Sequence, residues 1–218
     1  MIPLTDASRR PTSFPSITLS IIVINFIVFI IELIYGDPFV LRWSMVPNDV
    51  ASGKHLETIV TSMFLHASWT HIIGNMVFLW AFGPEVEDSM GKGRYAAFYL
   101  IGGIVASLSM LPVNMHSTIP NLGASGAIAA VMGAFLVTFP TDQIRTILFL
   151  FVFVTITYVP AIILIGFWFL SQLWDAGTVV STSTQTGGVA YAAHIGGMLF
   201  GMIFARFFQT TTSKQQYA

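Results

Sequence analysis

The sequence predicts an all-α membrane protein of six transmembrane helices, and three observations carry the prediction. Of its 218 residues 55% are hydrophobic and 9% charged, where soluble domains carry about a quarter of charged residues. Five apolar runs, roughly 18–35, 69–84, 95–113, 123–139 and 190–208, approach the ~20 residues that a helix needs to cross a bilayer. A sixth crossing falls within the long apolar stretch 144–174.

Residues 1–17, with Arg9, Arg10, Pro11 and Pro15, are too short and too polar for a domain and read as a cytoplasmic tail. Ser8-Arg9-Arg10 ahead of an apolar run faintly suggests a twin-arginine export signal, but Pro11-Thr12-Ser13 is wrong for one and no small-residue cleavage site follows residue 35. The run at 18–35 is therefore expected to be an uncleaved anchor, and the membrane domain to extend over 18–208, with 209–218 a second cytoplasmic tail.

The stretch 144–174 is long for one straight helix and short for two crossings, and Pro160 interrupts it. One helix preceded by an interfacial segment fits, and so does a hairpin. Lysine and arginine gather on cytoplasmic loops. With a single crossing, Arg9, Arg10, Lys92, Arg94, Arg145, Arg206 and Lys214 share one side and Arg42 and Lys54 the other, seven against two. A double crossing gives five against four. Six helices are preferred, with both termini cytoplasmic in the cell membrane and the second, fourth and sixth helices starting at the outer face.

A net charge of −1 offers no basic surface for nucleic acid, and the absence of cysteine excludes a disulfide framework, a thiolate nucleophile and a cysteine metal site. Strongly polar side chains inside a span are expensive and mark functional positions by default. Here they are few. "HASWTHIIGN" places His71 and Asn75 one turn apart on one helical face, with His66 five residues earlier, near the membrane surface. Ser125 occupies the first turn of the fourth helix, between Gly123 and Gly126 in "NLGASGAIAAVMGAF", and His194 lies about one turn into the sixth. All of them fall at a similar shallow depth below the outer face.

A serine and a histidine at one depth are the minimum for nucleophilic acyl transfer, the imidazole taking the hydroxyl proton and returning it to the leaving amine. Their helices carry small residues that permit close approach: Gly197, Gly201 and Ala205 follow His194 along one stripe, facing Gly126, Ala129, Ala130 and Gly133. The backbone N–H of Ser125 at a helix N-terminus, with Asn75 and His71, is a candidate oxyanion donor set. No aspartate or glutamate lies inside the second, fourth, fifth or sixth helix, and Glu32 lies near the outer end of the first, so a dyad is expected rather than a triad.

Those residues carry a resemblance. The chain resembles the rhomboid family of intramembrane serine proteases over nearly all of 18–208, through H-x-x-x-x-H-x-x-x-N (His66, His71, Asn75), G-x-S-G (Gly123, Ser125, Gly126) and H-x-x-G-x-x-x-G (His194, Gly197, Gly201). "NMVFLWAFGPEVEDSMG", with Glu87, looks like the family's second-helix exit, and "PAIILIGFWFLSQL" like its fifth helix. The resemblance implies a six-transmembrane-helix rhomboid bundle that cleaves membrane-anchored proteins near the outer face. Ser125 would be nucleophile and His194 base and acid, with an oxyanion hole of His71, Asn75 and the Ser125 amide. No metal or cofactor is expected, and the implied partners are transmembrane protein substrates and the lipid bilayer. Two positions depart from the pattern: Glu57-Thr58 stands where many relatives carry Trp-Arg, and Ala129 where some carry a tyrosine that stacks on the histidine.

Residues 175–188, rich in Gly, Ser and Thr, are expected to cap the site, with Phe167, Trp168 and Phe169 as a side gate. The competing reading is a non-catalytic rhomboid-like protein that escorts transmembrane clients; such proteins usually lack one of the two reactive residues, and both are present here. A transporter would carry internal repeats and more mid-membrane charge.

Overall fold

In the computed structural model, which describes residues 1–150, 153–182 and 188–210, strand β1 (Ile2–Asp6) precedes helix α1 (Ser16–Tyr35). A loop region with short helices α2 (Asp37–Trp43), α3 (Pro47–Ala51) and α4 (Thr58–Thr61) and a 3₁₀ turn at Ser62–Phe64 leads to α5 (Trp69–Met90) and α6 (Lys92–Leu108). Then come α7 (Leu111–Asn114), α8 (Ser125–Thr138), strands β2 (Gln143–Leu150) and β3 (Phe153–Pro160), and helices α9 (Ala161–Thr182) and α10 (Gly188–Phe208).

Among the described residues, three helical stretches are long and apolar enough to cross a membrane by length and composition: Ser16–Tyr35, Lys92–Asn114 and Tyr191–Phe208. α8 and the Ala161–Leu173 part of α9 are apolar but shorter. α5 has the length, but Glu85, Glu87 and Asp88 crowd its last two turns.

α8 is the axis of the bundle. Gly126 to Phe135 are all buried, because small residues on several sides let neighbouring helices approach. The tightest neighbour is α10, whose Gly197 and Gly201 lie directly against the carbonyl oxygens of Gly126 and Ala130. Where the driving force between helices is packing rather than water exclusion, such backbone approach is the main source of cohesion.

α1 is held at both ends through carboxylates, one from α5 and one of its own. Glu87 of α5 accepts from the backbone N–H groups of Ile17 (3.0 Å) and Thr18 (2.8 Å) and from the Thr18 hydroxyl (2.8 Å), satisfying first-turn donors that have no partner within a helix. At the other end Glu32 accepts from the His66 N–H at 3.1 Å. The polypeptide therefore alternates between two ends of the bundle. Gln209 donates to the Thr138 hydroxyl at 2.9 Å, and Arg94 to the Gln209 carbonyl at 2.9 Å, tying the ends of α8 and α10 to the start of α6.

The all-α expectation is corrected by a three-stranded antiparallel sheet in the order β1-β2-β3. Ile2 pairs with Ile147 and Asp6 with Ile144, while Ile147 pairs with Ile156 and Leu150 with Phe153. The first half of 144–174 is thus a pair of strands rather than a helix, and a single helix, α9, follows it. The physical reason is composition: Ile144 to Val159 is dominated by β-branched and aromatic residues, which favour strands, and an unbroken apolar run does not by its periodicity distinguish strand from buried helix. Pro160 ends β3, and Ala161 begins α9 with its N–H donating to the Asp142 carbonyl at 2.8 Å.

Residues 1–17, expected as a short tail, are docked on the bundle. Besides β1, the Arg9 guanidinium pairs with Asp142 and lies 4.2 Å from the Phe139 ring centroid. Thr12 and Ser13 bond the Asp88 carboxylate.

Candidate active site

Local chemistry places each polar residue of the site. The Ser68 hydroxyl accepts from the His71 N–H at 3.2 Å and starts α5, so that His71 and Asn75 follow one turn apart. The segment before α8 is anchored by reciprocal backbone bonds between Met45 and Asn121 (3.0 and 2.8 Å) and by the Gly123 N–H on the Ser62 carbonyl (2.9 Å). Gly123 has φ +130° and packs its α-carbon against the His71 ring, a conformation and a proximity that a side chain would not tolerate. Ser125 then opens α8 as its first residue, where backbone amides lack intrahelical acceptors.

The Ser125 Oγ and His194 Nε2 are 2.6 Å apart. They lie on α8 and α10, and the backbone contact of Gly126 with Gly197 brings these helices together next to the pair. A cavity of about 280 Å³ opens beside them, lined by His71, Asn75, Phe78, Trp168, Gln172, Ser125 and His194 among others. A narrower one of about 110 Å³ continues past Ser125 towards Ser62 and Met63. The Asn75 Nδ2 is buried and has no hydrogen-bond partner among the described residues, so it is a donor left over at the cavity wall. Such an arrangement, a hydroxyl against an imidazole nitrogen with spare N–H donors alongside, is able to form and stabilise a tetrahedral adduct on a carbonyl.

His66 is placed differently. Its ring is buried at 1% exposure, 5.1 Å from that of His71 and at 70° to it, and it does not line the cavity. It supports His71 from behind while its N–H engages Glu32. Gly201 packs one turn beyond Gly197, against Ala130.

Two residues on α9 complete the surroundings of His194. The Trp168 ring lies 5.6 Å from the imidazole at a 43° tilt, so the aromatic beside His194 comes from α9. Trp168 thus faces the site, whereas Phe167 is 63% exposed and points outward. The Gln172 Oε1 is 2.6 Å from the His194 Nδ1. Sequence reasoning passed over Gln172, although one signal was available: with Ser171 it breaks an otherwise apolar Ala161–Leu173 segment. Of the expected cap, residues 175–182 continue α9 and 183–187 lie outside the described residues.

The family model for the rhomboid domain matches residues 53–210. The chain is 31% identical over 185 residues to rhomboid protein 1, mitochondrial, of Saccharomyces cerevisiae, covering 82% of this chain and 49% of that protein. It is 27% identical over 205 residues to the rhomboid protease GluP of Bacillus subtilis (92% of this chain, 36% of that one). With the rhomboid protease GlpG of Yersinia enterocolitica it shares 25% identity over 197 residues (90% and 64%). The chain spans about half the length of the curated relatives it matches. With the family match covering the site and both helices that carry it, this chain is a membrane protein that belongs to the rhomboid family.

Proposed function

We propose that the chain is an intramembrane serine endopeptidase that hydrolyses peptide bonds of membrane-anchored proteins, with Ser125 as nucleophile and His194 as general base and acid. The observation that carries the reading is the 2.6 Å contact between Ser125 Oγ and His194 Nε2 across two helices. Relatives named rhomboid proteases support it.

In this mechanism the Ser125 Oγ attacks the scissile carbonyl carbon while His194 Nε2 takes its proton. The Ser125 N–H, Asn75 Nδ2 and His71 ring donate to the developing oxyanion. Removal of one such donor slows related chemistry by roughly 10²–10³. The C–N bond then breaks as His194 delivers the proton to the leaving amine, and an acyl ester remains on Ser125. Water, deprotonated by His194, attacks the ester, and the carboxylic acid product leaves as Ser125 regains its proton. A substrate helix must unwind first, because its amides are already hydrogen-bonded.

The proposed topology has six crossings, by α1, α5, α6, α8, α9 and α10. The basic end, with both termini, faces the cytoplasm and the cavity opens to the opposite side of the cell membrane. Cleavage then falls near the outer face. Some relatives carry mitochondrial names, and fractionation distinguishes the membranes.

The test is labelling of the purified protein with a fluorophosphonate in detergent, joined to cleavage of a membrane-anchored reporter in proteoliposomes. Labelling and cleavage lost in both Ser125→Ala and His194→Ala support the proposal. Labelling that persists without Ser125, or a native protein that binds the reporter but neither labels nor cuts, removes it in favour of a client-binding role.

A further inference from the structure

We infer that Gln172 is a positioning residue that holds His194 in its working tautomer, and that a hydrogen-bond chain starting at the backbone of Trp168 keeps Gln172 turned the right way. The inference rests on the serine-protease reading above.

The argument begins with the two ends of a primary amide. An amide oxygen only accepts hydrogen bonds and an amide nitrogen only donates them, so the way Gln172 is turned dictates where the His194 proton sits. With Oε1 facing Nδ1 at 2.6 Å, Nδ1 carries the proton. Nε2 is then left with its lone pair towards the Ser125 hydroxyl, 2.6 Å away. Turned by half a rotation, the amide would donate to Nδ1 instead. The proton would move to Nε2, which would then donate to Ser125 rather than accept from it, and the base would be silent.

Ser171 decides between the two. Its hydroxyl donates to the Trp168 carbonyl at 2.6 Å, which commits its single proton and leaves its lone pairs for a donor. The Gln172 Nε2 stands 3.2 Å from that oxygen, so the amide nitrogen is drawn to Ser171 and the amide oxygen is left for His194. The bonds then run in one direction: Ser125 to His194, His194 to Gln172, Gln172 to Ser171, Ser171 to the Trp168 carbonyl. Trp168 also lays its ring beside the imidazole, so two residues one turn apart on α9 fix the orientation and the tautomer of a side chain on α10. A neutral amide does this without placing a carboxylate in an apolar span, where an ionised group is costly.

The experiment measures the rate of fluorophosphonate labelling against pH for the full-length chain and three variants. Gln172→Met keeps the length of the side chain and removes the acceptor; labelling should fall by at least about tenfold, with an unchanged apparent Tm. Gln172→Glu restores an acceptor and adds charge that favours imidazolium, so it should label faster than Gln172→Met. The acid limb of its profile should lie at higher pH than in the native protein. Ser171→Ala frees the amide to rotate and should lose several-fold. Gln172→Met labelling at the native rate with the native pH profile overturns the inference. Where that variant does not fold, an unmoved acid limb in Gln172→Glu overturns it instead. A native chain unlabelled at Ser125 removes the protease reading and this inference together, whereas native labelling with Gln172→Met unaffected removes the inference alone.

Discussion

Gly197 on α10 packs so closely against Gly126 on α8 that a methyl group at position 197 would run into the Gly126 carbonyl oxygen. Ser125 and His194 sit within three residues of this contact on their respective helices, so the spacing of the two backbones sets the distance between their side chains.

It follows that Gly197→Ala pushes α10 away from α8. The expected result is a stability loss of ~1–3 kcal/mol, seen as a lower apparent Tm in detergent, together with a fall in fluorophosphonate labelling. Gly166→Ala, on a part of α9 where an added methyl meets nothing within 4 Å, is the control and should lose neither. Equal behaviour of the two variants would detach the site from the α8–α10 packing.

Asn75 contributes an unpaired, buried donor at the cavity wall. Asn75→Ala should therefore fold normally and slow reporter cleavage by roughly 10²-fold, with His71→Ala acting in the same direction. Cleavage at the native rate in both variants would leave the oxyanion to other donors.

Glu87 closes the start of α1 from another helix, through bonds to the Ile17 and Thr18 amides and the Thr18 hydroxyl. Its replacement by alanine leaves the Ile17 and Thr18 amides without that acceptor, and a cap loss of this kind costs ~1–2 kcal/mol. The apparent Tm should drop by several degrees, while labelling at low temperature stays at the native level because Glu87 lies at the far end of the bundle from Ser125.

Burial pushes the Asp6 carboxyl up to about 6 from its ordinary value of 3.8; the neighbouring Asp142 adds to the effect, and the Ser8 N–H works against it. Between those two pH values the folded chain holds a proton that the unfolded chain releases, so this group contributes stability at low pH that is lost as pH rises towards 6. Asp6→Asn should match the native protein near pH 4 and exceed its apparent Tm above pH 6. A difference in Tm that does not change with pH would show that the carboxyl is not held in this way.

Much of the arrangement was legible in the chain, and the reason is the solvent. A bilayer demands long apolar helices whose backbone bonds are satisfied within each segment, and it makes every remaining polar residue conspicuous. His71, Asn75, Ser125 and His194 stood out for that reason, as did the glycines at 126, 197 and 201 that let α8 and α10 meet. The sheet was hidden because an apolar run such as Ile147–Val159 suits a strand as well as a helix, and because the partner of β2 on one side is β1, about two thirds of the chain away in sequence.

The side-chain roles that remained hidden all depend on relations between distant segments. Glu87 and Glu32 are charges in or near apolar helices until the fold sets them against the start of α1 and the His66 amide. Gln172 is one polar residue in an apolar helix until the rotation of α9 turns it to Nδ1 of His194. Composition and spacing specify which helices form and which residues are rare enough to matter. The partner of a hydrogen-bonding group is specified by angles and distances between helices, and those arise only when the helices pack.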